Sequence, residues 1–497
     1  MLKLFVDRKR DWFIPMVGLL LVFIVAARSP IDTDMWWHLK AGELTISGGQ
    51  PYLVDTLSFT RAGAGWINHS WLSEWGMAVL YNWGGYLAIG AAMALVATAG
   101  MAFVYYQSTG PAILRAFLLI LGSTVAAVVW APRPEIVSLL LLAIVSTILY
   151  LYKWKKRDHL IWLPVIFFLW GNFHGGYPLG FLLIGAIVGG EAIQNLAAGK
   201  PGVDGLSWKQ IARLIIWTLI SALALLINPN GLNIWKVPFQ TVEVAALQQF
   251  IDEWASPDFH QFFQQPFLWL LFGILAAVGL ARRRMDLSDL ATVVVFGVMG
   301  LLARRNFGPF AVVSIPILSR YIWAAWQSRS VLPATGEEAG LAEYSPPERR
   351  RPRWQRRLNL AIVALLSLVA FVKVYAVTYP SWIESAIPSS EPVAAIDWMQ
   401  ANHLQGNVLN EYNWGGYLEW RTTGLKTFVD GRTDLFGDAI LSEWLSAVQA
   451  APGWDQTLQK WGVDYLLLDP GRPLAEAASE KGWMLLYQDG MAVVYGK

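Results

Sequence analysis

The feature that most constrains the fold is a series of long apolar runs, among them residues 16–27, 136–152 and 267–281. With its flanking residues, each run is long enough to form a helix that crosses the hydrocarbon core of a bilayer, which is roughly 30 Å thick. Only 15% of the 497 residues are charged, whereas soluble proteins contain about 25%. The sequence therefore predicts an integral membrane protein and gives no indication of nucleic-acid binding.

We predict about eleven transmembrane helices, and basic residues in the loops indicate their direction. Cytoplasmic loops of membrane proteins carry an excess of Lys and Arg. If the N-terminus is cytoplasmic, the basic clusters at 153–157, 282–284 and 349–357 all fall in cytoplasmic loops. The distribution predicts a multi-pass protein of the cytoplasmic membrane with an extracytoplasmic C-terminal domain. The predicted spans are 12–28, 86–106, 112–131, 135–152, 160–172, 178–197, 211–228, 266–281, 288–303, 308–327 and 358–378.

The chain divides into a transmembrane domain, residues 1–379, and a C-terminal α/β domain, residues 380–497. The transmembrane domain includes two long external loops, 29–85 and 229–265. The cytoplasmic loop 328–357 is rich in Arg, Pro, Glu and Gly, a composition typical of disorder.

Helix and strand signals alternate in the C-terminal domain. Residues 392–403 predict a helix, and short apolar runs bounded by turn residues predict strands. The chain has no Cys, so this domain must be held together by its own core rather than by disulfides. We expect a small α/β sandwich of one sheet and a few helices. The predicted strands are 407–410, 427–429, 464–468 and a hairpin of 483–487 with 491–495, joined through an Asp-Gly turn.

Two carboxylates, Asp32 and Asp34, lie just after the first predicted span, in the run Asp-Thr-Asp-Met-Trp-Trp-His-Leu-Lys. Carboxylate oxygens at this spacing can share a divalent cation such as Mg²⁺ or Mn²⁺. Alternatively, one carboxylate is a general base whose pKa is raised by its neighbour's charge and by partial burial. A third interpretation is that Asp32 or Asp34 caps a helix containing His38.

Residues 34–40 resemble the first-loop signature of oligosaccharyltransferase catalytic subunits, in which an acid is followed closely by aromatic and polar or basic residues. That class belongs to the GT-C membrane glycosyltransferases, with the protein mannosyltransferases and aminoarabinose transferases. The resemblance implies a polyprenyl-linked sugar donor and a catalytic acid in the first external loop. Asp34 matches the acid that binds the metal or activates the acceptor, and Asp32 has a weaker counterpart.

Residues 413–417, Asn-Trp-Gly-Gly-Tyr, occupy the place where oligosaccharyltransferases carry a Trp-Trp-Asp-Tyr-Gly acceptor motif. Because the Trp-Trp-Asp pattern is missing, the resemblance does not extend to recognition of a peptide sequon. It is closer to uncharacterised bacterial GT-C-like proteins. The heptapeptide Tyr-Asn-Trp-Gly-Gly-Tyr-Leu occurs at 412–418 and also at 81–87, without similar flanks, which we interpret as coincidence rather than a repeat.

Arg304, Arg305 and the adjoining Asn306 lie at the external end of the ninth predicted span, where basic residues are otherwise scarce. Arginine makes bidentate, charge-assisted hydrogen bonds with phosphate oxygens. We therefore expect Arg304 and Arg305 to bind the donor phosphate, with Arg133, in the outer turn between the third and fourth spans, as a second candidate. The alternative is that Arg304 and Arg305 reach lipid headgroups.

Four more polar residues near external span ends are site candidates: His38, His69, Glu74 and His174. His69 precedes an amphipathic helix predicted for 70–81, so it can share a cleft with Glu74 only from a loop. His174 precedes a Gly-Gly pair whose backbone would permit a ligand to approach closely. A lone external His is nevertheless more often a hydrogen-bonded structural residue than a ligand.

Two further external segments carry paired charges. The loop 229–265 contains Glu253 and His260 near other acids and could supply a second metal ligand or a mobile lid. The segment 430–434, Asp-Gly-Arg-Thr-Asp, could contact sugar hydroxyls, but a turn stabilised by an Asp–Arg ion pair is the simpler interpretation.

The leading functional hypothesis is a membrane glycosyltransferase that moves a sugar from a polyprenyl phosphate or pyrophosphate carrier to an extracytoplasmic acceptor. Asp34 would act as base or metal ligand, and the arginines would neutralise the leaving phosphate. Two other hypotheses are a non-catalytic transporter or export partner and a membrane-anchored sensor of envelope glycans. Few ionisable residues lie within the predicted spans and inverted repeats are not evident, which argues against a transporter.

Overall fold

The computed structural model describes residues 12–202, 204–243, 251–281, 283–330 and 352–497. Within these ranges the chain forms a helical bundle, followed by a mixed region with one sheet. The predicted disordered loop falls largely on 331–351, outside the described residues. The helices are α1 (Phe13–Ala26), α2 (Thr33–Gly48), α3 (Trp71–Gln107), α4 (Ala112–Ala126), α5 (Glu135–Lys153), α6 (Trp162–Phe173), α7 (Pro178–Ala198), α8 (Trp208–Ala224), α9 (Val237–Glu243), α10 (Gln265–Leu280), α11 (Leu287–Leu302), α12 (Phe307–Ser330), α13 (Arg353–Val377), α14 (Pro380–Ala386), α15 (Val393–Ala401), α16 (Gly415–Arg421), α17 (Thr433–Val448), α18 (Trp454–Lys460) and α19 (Pro473–Glu480).

A helix lies at each of the eleven predicted spans. In the described part of the chain, seven helices are long and apolar enough to cross a membrane: α3, α4, α5, α7, α10, α12 and α13. The helices α1, α6 and α11 are apolar but shorter, and α8 has 17 residues. A polytopic helical architecture is therefore confirmed in outline, while the count of eleven and the sidedness stay predictions.

Helix α3 joins two elements that the sequence analysis separates. The predicted amphipathic helix and the second span are continuous over 37 residues, with a break at Gly84 and Gly85. Gly85 has φ +56° and ψ −144°, a conformation that side-chain-bearing residues rarely adopt. Trp75 and Val79, about one helical turn apart in the predicted amphipathic segment, are both exposed in the structure. The break redirects the chain between the first turns of α3 and its long apolar part.

Helix α2 begins immediately after Asp32, whose side chain accepts a hydrogen bond from the Asp34 backbone N–H at 3.0 Å. Asp32 therefore caps the helix, as one of the three interpretations proposed. The helix ends at Gly49 in the left-handed conformation, φ +66°. Gly42 faces α3 so closely that a Cβ there would overlap the carbonyl oxygen of Glu74. This contact fixes α2 against the start of α3.

The C-terminal sheet has the strand order β2-β1-β3-β5-β4. The first three strands of this order are parallel, whereas β5 pairs antiparallel with both β3 and β4. Each predicted strand has a counterpart, but two of them are shifted by two residues: β2 starts earlier than predicted and β5 starts later. The shift of β5 arises because Asp489 accepts hydrogen bonds from the backbone of Met491 and Ala492 and closes a four-residue loop. The strands are β1 (Gly406–Asn410), β2 (Leu425–Thr427), β3 (Tyr465–Leu468), β4 (Met484–Gln488) and β5 (Val493–Gly496).

The first loop, residues 29–85, packs directly on this C-terminal region. Ser58 forms a parallel bridge with Thr427, so the loop continues the sheet beyond β2. Trp36 of α2 is buried, donates through Nε1 to Glu391 at 3.1 Å and lies edge-on to Tyr417, with ring centroids 5.0 Å apart. A shared apolar core thus holds α2 and the C-terminal region together.

A buried arginine adds an ionic connection between the same two parts. Arg432 is fully buried and donates to Asp430, at 2.6 Å, and to Asp55 of the first loop, at 2.7 Å. Its Nη2 is 3.4 Å from Glu419. Burial and the charge of Asp430 raise the pKa of Glu419, although Arg432 opposes the shift. The raised pKa favours the neutral form of Glu419. The predicted ion-paired turn at 430–434 is confirmed, and it reaches the first loop as well.

At the opposite end of the bundle, Lys153 differs from its expected role as a loop residue. It is the last residue of α5 and only 2% exposed, because its ammonium group pairs with Glu191 and with Asp286, the latter at 2.6 Å. Buried charge of this kind persists where it is paired. The interaction ties α5 to α7 and to the start of α11.

Candidate active site

A cavity of about 700 Å³ lies where several helix ends meet the first loop and the C-terminal region. The described residues place most of the predicted site candidates on its wall, although they come from five separate parts of the sequence. Asp32 and Glu74 are the two candidates that do not line it. The predicted residues that do are Asp34, His38, Arg133, His69, His174, Arg304, Arg305 and Asn306.

Asp34 lies in the first turn of α2 and is about three-quarters buried, with 23% of its side chain exposed. Its Oδ1 accepts a hydrogen bond from Trp37 Nε1 at 3.2 Å, and its Oδ2 is 2.9 Å from Arg133 Nη1. Burial raises the pKa of Asp34 to about 6, because desolvation and the charge of Asp32 outweigh the opposing effect of Arg133. A carboxylate with such a pKa is mostly ionised at neutral pH yet basic enough to accept a proton.

Arg133 is surrounded by carboxylates. Its Nε and Nη2 form a two-point contact with Asp32, at 2.6 and 2.9 Å. Its Nη1 approaches Asp34 at 2.9 Å and Glu253, in a short 3₁₀ turn of the second external loop, at 3.4 Å. The Arg133 guanidinium is thus surrounded by protein acids.

The arrangement of these carboxylates does not fit a divalent cation. Mg²⁺ and Mn²⁺ need several oxygen ligands converging at about 2.0–2.2 Å. Here Asp32, Asp34 and Glu253 converge on the Arg133 guanidinium instead. In the part of the chain that the structure describes, no group of three His, Asp or Glu side chains is positioned to hold a metal ion.

Arg304, Arg305 and Asn306 form a 3₁₀ turn between α11 and α12. The Arg305 guanidinium stacks on the Trp254 ring, 4.2 Å from its centroid, and is 3.8 Å from Glu135. Asn306 Nδ2 donates to the carbonyl of Met299 at 2.9 Å and so caps the end of α11. The turn therefore brings Arg304, Arg305 and Asn306 to the cavity wall.

His69 and His174 face each other across the cavity wall, with ring centroids 5.6 Å apart. Nδ1 of each ring accepts a hydrogen bond from a backbone N–H. The Gly175 N–H donates to His69 and the Gly176 N–H donates to His174, both at 3.1 Å. Because Nδ1 accepts, the neutral rings carry their proton on Nε2. Burial lowers the pKa of both imidazoles, which keeps them neutral. The Gly-Gly pair thus orients both rings, in addition to permitting close approach.

Glu74 supports the site from behind. It is fully buried and interacts with His38 Nδ1 at 3.0 Å and with Asn68 Nδ2 at 2.6 Å. It therefore does not share a cleft with His69, which sits in the loop before α3 and whose Nε2 is 4.0 Å from Asp434. His38 lines the cavity, and burial lowers its pKa. In the second external loop Glu253 reaches the cavity, whereas His260 is exposed and lies apart from it.

Tyr412 is not among the residues predicted from the sequence, whereas Asn413 belongs to the segment 413–417 and Thr433 and Asp434 belong to the segment 430–434, for which an acceptor or sugar contact is one interpretation. All four residues line the cavity from the C-terminal region. They follow β1 and β2, two adjacent parallel strands. The carboxyl ends of parallel strands meet at one edge of a sheet, where ligands commonly bind, so strand order could have revealed them. Glu135 and Ser138, in the first turn of α5, also line the cavity, and no sequence signal marked them.

Of the segment 413–417, the structure brings only Asn413 to the cavity wall. Trp414 and Tyr417 are buried in the core shared with α2. Gly415 packs so tightly that a Cβ would overlap the carbonyl oxygen of Val429. A Cβ at Gly416 would lie 3.1 Å from the carbonyl oxygen of Thr33. Gly415 therefore permits close packing of α16 on the segment after β2, and Gly416 permits close packing of α16 on α2.

Comparison with known proteins identifies the fold. No protein-family model and no curated protein matches the chain. The oligosaccharyltransferase of Archaeoglobus fulgidus in its apo form is similar with a TM-score of 0.58 and 12% identity, over 93% of this chain and 70% of that one. ArnT from Cupriavidus metallidurans bound to undecaprenyl phosphate gives 0.51 and 13%, over 97% of both chains. The mycobacterial arabinofuranosyltransferase AftD gives 0.50 and 16%, over 99% of this chain and 40% of that one. The chain therefore has the fold of the GT-C membrane glycosyltransferases.

Proposed function

We propose that this protein is a membrane glycosyltransferase that moves a sugar from a polyprenyl phosphate or pyrophosphate to an acceptor on the extracytoplasmic side. One observation carries the proposal: a basic carboxylate, Asp34, and two arginines, Arg304 and Arg305, line the same cavity. The GT-C fold and the apolar helices are consistent with a substrate that resides in the membrane.

The reaction needs a base for the acceptor and cations for the leaving group. The acceptor hydroxyl oxygen attacks the anomeric carbon of the donor sugar and its proton passes to Asp34. The bond between the anomeric carbon and the phosphate oxygen breaks, and its electron pair leaves with the polyprenyl phosphate. Arg304 and Arg305 stabilise the charge that develops on that phosphate. Ion pairing to Arg133 keeps the Asp34 carboxylate ionised and directed.

The cavity suits a donor with a polar head and an apolar chain. Its volume is within the range of about 300–1,000 Å³ found for small-molecule sites. Beside the charged groups its wall contains apolar residues from several helices, which can accommodate the first isoprene units. ArnT, which shares the fold, has been solved with undecaprenyl phosphate bound. The apolar lining residues are Leu139, Leu179, Val237, Met299 and Pro309.

The acceptor would approach from the side of the C-terminal region. Asn413, Thr433 and Asp434 offer both donors and acceptors of hydrogen bonds at the cavity wall. The Nε2–H groups of His69 and His174 add two more donors on the same wall. This composition suits a hydroxyl-bearing acceptor such as a glycan.

The decisive test compares Asp34→Asn with wild type, using purified protein and a polyprenyl-phosphate sugar. Asp34→Asn keeps the shape of the side chain but removes the base, so we expect sugar transfer and polyprenyl phosphate release to be lost. The matched control, Asp455→Asn, changes an exposed acid far from the cavity and should leave transfer unchanged. Membrane insertion should be normal in both variants.

A fully active Asp34→Asn protein would contradict the assignment of that residue. Binding or movement of the donor without any release of polyprenyl phosphate would favour the transporter or sensor hypothesis instead.

A further inference from the structure

Three acids from two distant loops converge on one guanidinium at the cavity. Asp32 holds Arg133 through two contacts, at 2.6 and 2.9 Å, and Asp34 and Glu253 approach the same Nη1 at 2.9 and 3.4 Å. The four side chains are between 14% and 31% exposed. Converging carboxylates at this depth repel each other strongly unless a cation lies between them.

The position of that cation is fixed by the backbone. Arg133 lies between Pro132 and Pro134, whose rings restrict φ. Its N–H donates to the Ala131 carbonyl at 2.8 Å and its carbonyl accepts from Ile136 at 3.3 Å. The guanidinium therefore enters the cluster from a rigid turn at the start of α5. Moving it aside would require breaking its two-point contact with Asp32.

A divalent ion at this place would have to compete with a charge that is already present. It would lie next to the guanidinium, and the oxygens it requires from Asp32 and Asp34 already accept from Arg133. A guanidinium stays protonated at every physiological pH and cannot withdraw by losing its charge.

We infer that Arg133 is a built-in cation that takes the place of a divalent metal ion beside Asp34, so that this protein works without a metal. Arg133 is then a positioning residue: it keeps Asp34 ionised and holds its Oδ2 while Oδ1 accepts from Trp37. The part of this inference that concerns sugar transfer rests on the proposed function. The part that concerns metal exclusion does not, because it can be measured without any donor.

The test measures the binding of Mn²⁺ alone to purified protein. The electron paramagnetic resonance signal of the free ion is the readout, because it falls as the ion binds. Wild type should bind no Mn²⁺ at millimolar concentration at this site. Arg133→Ala removes the cation and leaves three carboxylates without it, so the Kd for Mn²⁺ at this site should fall at least about tenfold below the millimolar range. Adding Asp34→Asn to Arg133→Ala should abolish the gain. Arg133→Lys, which keeps a cation, should exclude Mn²⁺ as wild type does.

A second arm measures transfer. Wild-type activity should be unchanged by a chelator, and Arg133→Ala should lose activity that Arg133→Lys partly restores. Thermal unfolding of each variant shows whether it is folded, and Arg133→Gln replaces Arg133→Ala if the latter is not.

Either of two Mn²⁺ measurements would overturn the inference: stoichiometric Mn²⁺ binding to wild type that Asp34→Asn removes, or a folded Arg133→Ala protein that still binds no Mn²⁺. Loss of wild-type transfer in chelator, with recovery on adding Mn²⁺, would overturn it as well. If no transfer is found with any donor, the proposed function fails, while the Mn²⁺ measurements still decide the role of Arg133.

Discussion

The backbone of Gly431 lies directly against the carboxylate of Asp34, so that a Cβ at position 431 would overlap Oδ1 and lie 2.5 Å from Trp37 Nε1. Gly431 is in the turn after β2, between the ion-paired Asp430 and Arg432. Because Arg432 also holds Asp55 of the first loop, this contact is fixed from both sides. The C-terminal region thus forms part of the immediate surroundings of Asp34.

We expect Gly431→Ala to reduce sugar transfer by at least about 100-fold, since displacement of a reacting group by 1 Å can cost that much. The new methyl group must push Asp34 away from Trp37 and Arg133. Steady-state transfer rates measure the effect. The control Gly185→Ala, at an exposed helical position with open space around it, should change nothing. A Gly431→Ala protein with normal kcat would contradict the proposed role of this contact.

The pH profile should report the ionisation of Asp34. Its pKa is raised to about 6, and the base must be deprotonated, so kcat/KM should rise about tenfold per pH unit below 6 and level off above it. Arg133 lowers this pKa, so Arg133→Gln should move the rising limb to higher pH. The same raised pKa means that the Asp34 contribution to stability is greatest below the unfolded value of 3.8 and is lost as pH rises through 6. A flat profile between pH 5 and 7 would exclude Asp34 as the base.

Loss of either guanidinium in the Arg304–Asn306 turn should weaken donor binding. A hydrogen bond to a charged group contributes about 1.5–3 kcal/mol, so we expect Kd for undecaprenyl phosphate to rise about 10- to 100-fold in Arg304→Gln or Arg305→Gln. Isothermal titration in detergent measures the change. Arg157→Gln, at an exposed position predicted to be cytoplasmic, is the control. Unchanged Kd in both variants would support the alternative that these arginines contact lipid headgroups.

Arg432→Gln should destabilise the protein by about 3–5 kcal/mol, because it leaves the buried acids Asp55 and Asp430 without their cation. The thermal unfolding midpoint in detergent checks this. The exposed pair of Arg421 with Asp397 provides the comparison, and Arg421→Gln should cost less than about 1 kcal/mol. Equal midpoints for the two variants would show that the buried network does not hold the first loop and the C-terminal region together.

Much of the secondary structure could be predicted because it depends on local patterns. Apolar length gave a helix at every predicted span, and alternation with turn residues gave each strand of the sheet within two residues. The sequence predicts Lys153 in a loop, which is wrong: only its packing against Glu191 and Asp286 explains a buried ammonium group at a helix end.

The sequence by itself determined the helical membrane architecture and the α/β character of the C-terminal region, and it marked the segment around Asp34 as a candidate site. The tertiary structure alone decided which charges meet. The sequence marks Arg133 as a second candidate for the donor phosphate, but it cannot show that Asp32, Asp34 and Glu253 surround this residue. Likewise, the same heptapeptide has different structures at its two positions. At 81–87 it contains the break in α3, and Trp83 is 82% exposed. At 412–418 it contains the start of α16, and Trp414 is buried. Identical local preferences were resolved differently because the first copy lies at a bend of α3 and the second is packed against β2 and α2.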